Sequence, residues 1–197
     1  MEISVRGLAV LAAALERLGI RYFVSGGLAS ATHGQPRLTE DVDLVIELGA
    51  EQVDALKREL GADFEVDEIA LSDAARAFAS DNIFYLPDFT RFDLHVAKRT
   101  EFVQLQLERR RLVELPGSGG IRVAIATAED IVLSKLEWYR KGNEVSTKQW
   151  EDILGILRVR AGDLDQAYMQ AWAQRLCVSD LLMRALREGD LPKPPLK

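Results

Sequence analysis

The segment Arg21 to Glu47, R-Y-F-V-S-G-G-L-A-S-A-T-H-G-Q-P-R-L-T-E-D-V-D-L-V-I-E, decides how the rest of the chain is read. It opens on a short strand, Arg21-Tyr22-Phe23-Val24, and passes into the turn Ser25-Gly26-Gly27. A short helix is expected from there to about His33, broken by Gly34 and Pro36. Asp41 to Glu47 then predicts a second strand, alternating strictly in its first half. Residues two apart on a strand share a face, so the carboxylates of Asp41 and Asp43 emerge together, about 7 Å apart along the backbone. Val42, Leu44 and Ile46 point the other way and pin the register. Two like charges repel unless neutralised, and Mg²⁺ (or Mn²⁺) suits the task because it takes one or two carboxylates plus substrate phosphates. An exposed strand with polar residues outward gives the same D-x-D pattern, so the pair alone is a weak sign.

The glycine turn strengthens it. Glycines let the backbone approach a ligand closely, and the amides at a helix start attract anions. The order strand, glycine turn, helix, loop, D-x-D therefore places an anion site beside a cation site, the pairing that a triphosphate with its metal needs. Gly-Gly by itself is more often simply a turn.

Outward from this segment, helix and strand signals alternate over the first two-thirds of the chain. A helix is expected near residues 3–18, with Leu8, Leu11, Leu15 and Leu18 at helical spacing and Gly19 ending it. Glu16 and Arg17 interrupt its apolar run, so it is not read as a signal sequence. Glu51 to Leu60 is a helix closed by Gly61, and Ser72 to Ala79 another. Ile83 to Leu86 and Arg91 to Ala97 form a hairpin through Pro87-Asp88-Phe89-Thr90. Thr100 to Arg111 is helical, and Val113 to Leu115 and Ile121 to Ile125 flank a Pro116-to-Gly120 hairpin tip. From Thr127-Ala128-Glu129-Asp130, a capping-box-like start, three or four helices run to about Glu188 without a strand. The expected organisation is an α/β (α+β) domain over 1–126, a C-terminal helical region over 127–191 and a frayed tail over 192–197.

Composition excludes several classes. The chain has 197 residues, 48% apolar and 28% charged, which fits one soluble domain or a domain with a helical annex and argues against disorder. No apolar run reaches the roughly 18 residues of a transmembrane helix. The one cysteine, Cys177, is placed in an apolar-periodic helical stretch, permits no disulfide framework and points to a reducing, cytoplasmic setting. Net charge is −6, but Glu40 to Asp93 holds 15 acidic against 4 basic residues, so the remainder is mildly positive. Basic clusters at Lys98-Arg99 and Arg109-Arg110-Arg111 are either a solvated face or a landing strip for phosphates. No long basic surface of a tight RNA binder is present.

The run Ser25-Gly26-Gly27-Leu28-Ala29, then His33-Gly34, Pro36-Arg37, Thr39 and Asp41-Val42-Asp43-Leu44, resembles the nucleotidyltransferase superfamily, the DNA polymerase beta-like fold. More narrowly it looks like the AbiE-type toxin nucleotidyltransferases and their bacterial relatives. The resemblance implies a mixed sheet flanked by helices and a third carboxylate on a neighbouring strand, matched by Asp93 in Arg91-Phe92-Asp93-Leu94-His95. A strand-surface aspartate paired with Arg91 is the bland reading of Asp93. His95 shares its face and would assist proton transfer, bind phosphate or be structural. Glu129-Asp130 through Lys135-Leu136 resembles the family's E-D-x-x-x-x-K-L segment. Lys135 sits among Ile131, Val132, Leu133 and Leu136, where an ammonium must snorkel to water or find a fixed anion. By resemblance that anion is the β- or γ-phosphate. Arg140 and Asp152 fall near family positions, whereas Gln149 stands where relatives carry an aspartate. Trp138, Tyr139, Trp150 and Trp172 are read as core or groove-lining.

The implied function is metal-dependent nucleotidyl transfer from a nucleoside triphosphate to an acceptor hydroxyl. Asp41, Asp43 and Asp93 would be the catalytic and metal residues, and Ser25, Gly26, Gly27, Arg37 and Lys135 the nucleotide ligands. The resemblance suggests a tRNA or protein acceptor and a cognate antitoxin, with a small-molecule acceptor open. The alternatives are a non-catalytic nucleotide-binding or antitoxin-like interaction module, and a structural relative that binds nothing.

Overall fold

A computed structural model describes residues 5–35, 39, 41–115 and 120–189. Arg37, most of the Pro116-to-Gly120 tip and the tail from residue 190 lie outside the described residues. The chain divides into two compact units, Met1–Ala29 with Arg37–Thr127, and Ser30–Pro36 with Ala128–Lys197.

The first unit is built on a seven-stranded mixed sheet. Its strands are β1 (Tyr22–Val24), β2 (Asp41–Ile46), β3 (Phe64–Glu65), β4 (Ser80–Tyr85), β5 (Thr90–Val96), β6 (Arg111–Glu114) and β7 (Arg122–Ile125), in the order β3-β4-β5-β2-β1-β7-β6. β2 pairs with β5 in parallel and with β1 antiparallel, and β4 and β5 form the expected hairpin. The buried face carries Val42, Leu44, Ile46, Ile83, Tyr85, Phe92 and Leu94, each no more than 1% exposed. Removing each such side chain from water stabilises the unit by roughly 1.5–3 kcal/mol. Helix α1 (Val5–Arg17) packs on this face, close enough that a Cβ on Gly7 would stand 2.8 Å from the Tyr85 ring. Gly19, at φ +66, ends α1: its N–H donates to Glu16 and that of Ile20 to Leu15.

Helix α2 (Gly26–His33) follows β1 as expected. Helix α3 (Val53–Leu60) is preceded by a 3₁₀ turn at Ala50–Gln52 and closed by Gly61 at φ +69. Several boundaries, and one short strand, differ from the sequence reading. Helix α4 (Glu68–Ala77) begins four residues before Ser72, because the Asp67 side chain accepts from the N–H groups of Ile69 and Ala70 and caps it there. Helix α5 (Glu101–Arg109) stops short of Arg111, which turns extended to pair with Ile125. β3, two residues long, is too short to show a period.

The second unit is helical: α6 (Ala128–Lys141), α7 (Thr147–Arg160), α8 (Gln166–Arg175) and α9 (Ser179–Gly189). Ile131, Leu133, Leu136, Ile153, Ile156 and Leu181 make its core. Ser146 and Asp165 cap α7 and α8. Two sequence expectations are corrected here. Cys177 is not helical: it lies between α8 and α9, exposed, at φ +57. Trp138 is 62% exposed, with the Lys141 ammonium over its ring, whereas Tyr139, Trp150 and Trp172 are buried. Among the described residues, no helix is long and apolar enough to cross a membrane.

Candidate active site

The parallel pairing of β2 with β5 sets Asp43 opposite Asp93 and Asp41 opposite Arg91. Burial alternates along all of β2, so Asp41 and Asp43 leave the sheet on the face opposite Val42, Leu44 and Ile46. Asp93, between buried Phe92 and Leu94, leaves on the same face. The three carboxylate side chains remain 35%, 27% and 21% exposed, partly desolvated yet reachable from water.

Residues two positions either side of Asp93 on β5 hold these acids. The Arg91 Nη2 donates to Asp93 Oδ2 at 2.7 Å and to Asp41 Oδ2 at 3.2 Å. The Asp93 hydrogen bond, with the nearby charges of Asp93, Asp41 and Asp43, holds the Arg91 guanidinium further above its ordinary range. His95 Nε2 stands 3.2 Å from Asp43 Oδ1, and its Nδ1 2.6 Å from the Ser80 hydroxyl. Thr39 donates its hydroxyl to the Asp41 carbonyl and carboxylate. Asp93 thus pairs with Arg91 and also shares its face with Asp41 and Asp43. Ser80 was not singled out from the sequence, because only the β4–β5 register, Ser80 opposite His95, brings it there.

The glycine turn lies against the same carboxylates. The Ser25 N–H donates to the Asp43 carbonyl at 2.8 Å, and the Ser25 carbonyl accepts from Ala29 to open α2. Gly26 has φ +56, and a Cβ placed on it would stand 1.7 Å from Asp43 Oδ2. Only glycine permits both that conformation and that approach. Gly27 is buried, and Ser25 and Gly26 are half-buried.

The second unit contains Lys135, and its anion there is a protein group. The ammonium donates to Asp152 Oδ2 and Gln149 Oε1, each at 2.9 Å, with the Lys135 and Asp152 side chains only 8% and 7% exposed. Gln149, the departure from the family pattern, is therefore a Lys135 partner. Arg140 forms an exposed double contact with Asp180 and belongs to the packing of α6 with α9. The buried Asp130 accepts from the Tyr168 hydroxyl.

The donor set suits a hard divalent cation: three carboxylates on one face of two adjacent strands, with a backbone cradle at Gly26 that a side chain would fill. Among the described residues, no three His, Cys, Asp or Glu side chains are grouped closely enough as they stand to hold a metal ion. Two clefts of about 530 and 540 Å³ lie elsewhere, beyond the Ile46 end of β2, one lined by Glu16, Tyr22 and Arg110 and the other by Glu47, Phe78 and Arg99. Neither includes any of the three aspartates.

No protein-family model matches the sequence, and no curated protein matches it significantly. Solved structures do. The chain is similar to an antigenic nucleotidyltransferase-like protein from Paracoccidioides brasiliensis, at 22% identity and a TM-score of 0.55, with 95% of each chain covered. It is also similar to the antibiotic-resistance factor ANT(2'')-Ia in its solution structure, at 12% identity and a TM-score of 0.51, covering 91% of this chain and 96% of that one. Identities this low speak to architecture alone, and the architecture is that of a nucleotidyltransferase fold.

Proposed function

We propose that this chain is a metal-dependent nucleotidyltransferase that moves a nucleoside monophosphate from a triphosphate to an acceptor hydroxyl. One observation carries the reading: Asp41, Asp43 and Asp93 share one face, and the Gly26 backbone rests on the Asp43 carboxylate. In this reading Ser25 and the amides of Gly26 and Gly27 receive the phosphates. Asp41, Asp43 and Asp93 hold Mg²⁺ or Mn²⁺, which when bound neutralises phosphate charge and lowers the pKa of the attacking hydroxyl. Asp93 orients the acceptor oxygen and takes up its proton. The acceptor oxygen bonds to the α-phosphorus, the bond from that phosphorus to the bridging oxygen breaks, and pyrophosphate leaves. The family resemblance adds Arg37 and Lys135 as phosphate ligands. Arg37 lies outside the described residues and Lys135 already holds Asp152 and Gln149, so the reading rests on the glycine turn.

An AbiE-type role with a tRNA or protein acceptor and a cognate antitoxin is the finer form of this proposal, supported by the H-G-x-x-R-x-T element between the glycine turn and Asp41. A cytoplasmic setting accords with the single thiol and with triphosphate supply. A second reading, a nucleotide-binding or antitoxin-like module without turnover, is favoured by the Arg91 contacts that already neutralise Asp41 and Asp93.

The test incubates the protein with Mg²⁺ and α-labelled nucleoside triphosphates in cell extract. Wild type should transfer label to an acceptor, and Asp41→Asn should transfer at least about a hundredfold less. Equal labelling by the two rejects the metal-site assignment. Mg²⁺-dependent nucleotide binding with no transferred label selects the module.

A further inference from the structure

Arg91 is not explained by the transfer chemistry, yet it makes the closest contact with Asp93. A single nitrogen, Nη2, bridges an oxygen of Asp41 on β2 to an oxygen of Asp93 on β5. It thus supplies positive charge to two carboxylates that the proposed function assigns to the metal. The remaining acid, Asp43, is engaged separately by His95. Arg91 reaches this position from within the site itself, two residues before Asp93 on the same strand and face. Its side chain is 46% exposed, so the guanidinium has solvent to move into without disturbing the core. Exposed ion pairs of this kind are individually weak and easily exchanged. A guanidinium also has a strong alternative partner in this reaction, since its fork matches phosphate oxygens in two parallel hydrogen bonds.

We propose that Arg91 is a resident counter-ion that competes with the divalent cation for Asp41 and Asp93, and that it releases them when a nucleotide's phosphates take its guanidinium. The inference rests on the metal-site reading above and gives Arg91 a positioning role. Without nucleotide, Arg91 keeps Asp41 and Asp93 from repelling one another and makes metal binding weak. With nucleotide, the new phosphate contact and the freed carboxylates favour each other, so metal and nucleotide bind cooperatively. Such coupling between two sites is ordinarily about 5- to 150-fold and is reciprocal.

The test measures Mn²⁺ binding to the full chain by calorimetry, with and without a triphosphate analogue carrying a methylene between its α- and β-phosphorus atoms. Wild type should bind Mn²⁺ weakly alone and roughly tenfold or more tightly with the analogue. Arg91→Met should bind Mn²⁺ alone roughly tenfold more tightly than wild type and gain less from the analogue than wild type does, since only the direct metal–phosphate contribution remains. Arg91→Lys, which keeps the charge, should stay weak alone. Should the methionine variant melt well below wild type, Arg91→Gln carries the same comparison. If the neutral variants bind Mn²⁺ no more tightly than a wild type that does bind it, the counter-ion role is overturned and the metal site stands. Absence of Mn²⁺ binding in all variants and in wild type, with or without analogue, overturns the metal-site reading itself.

Discussion

Gly26 and Asp43 are in direct backbone-to-carboxylate apposition, with space for no side chain between them. A Cβ on Gly26 would stand 1.7 Å from Asp43 Oδ2 and 2.4 Å from its Cγ. The φ of +56 adds a second obstacle, since an L side chain in the left-handed region costs roughly 1–2 kcal/mol. Gly26→Ala must therefore either push the Asp43 carboxylate aside or unwind the start of α2. The expected outcome is a stability loss of roughly 1–2 kcal/mol in urea unfolding together with loss of Mg²⁺-dependent nucleotide binding. Gly61→Ala is the control. It shares a positive φ but has nothing within 4 Å of its Cβ position, so it should lose stability only.

Lys135 and Asp152 form an ion pair nearly sealed from water between α6 and α7. Removing one partner leaves a buried charge uncompensated, so Lys135→Met or Asp152→Leu should each destabilise by about 3–5 kcal/mol. The double variant Lys135→Met with Asp152→Leu replaces the pair by apolar groups and should recover most of that loss. Denaturant unfolding of the four proteins measures the coupling. Additive losses would show that the pair does not act as a unit.

Tyr22 is 3% exposed, accepts from the Ala124 N–H and donates to Glu16. Burial pushes its phenol up to about 12, from an ordinary value near 10. The folded chain therefore keeps a proton that the unfolded chain releases between those two values. The Tyr22 contribution is fully present below about pH 10 and is lost as pH rises toward about 12, a change of roughly 2–3 kcal/mol. Tyr22→Phe cannot ionise. Its stability deficit relative to wild type at pH 9 should shrink or reverse by pH 12, measured as the difference between their thermal unfolding curves.

Cys177 occupies the residue after the α8 cap in a glycine-type helix ending. Its N–H donates to Gln174 and that of Val178 to Ala173, while Val178 is fully buried. The φ of +57 there is strained for a cysteine. Cys177→Gly should raise stability by about 1 kcal/mol, seen as a higher melting temperature, and remove the exposed thiol without altering the fold.

Much of the fold was legible because its signals are local. The spacing of Leu8, Leu11 and Leu15, the stop at Gly19 and the alternation of Val42, Leu44 and Ile46 are properties of neighbours in the chain, and each element appeared where they pointed. The reading failed where a longer-range partner chose the boundary. Arg111 left its helix for a ladder with Ile125, and β3 exists only because β4 lies beside it. Cys177 was misplaced because apolar periodicity runs on through a turn whose reversal depends on Val178 finding the core.

The candidate site divides along the same line. Sequence alone determined that Asp41 and Asp43 share a face and that a glycine turn precedes them, since both follow from strand geometry and spacing. Tertiary structure decided which residues meet those carboxylates: Asp93 and Arg91 through the parallel register of β5, Ser80 through that of β4, and Asp152 rather than solvent for Lys135. A one-residue slip in pairing would send Asp93 to the core face and leave the composition unchanged. Register is fixed by the sum of many buried contacts across strands, and no single stretch of sequence contains that sum.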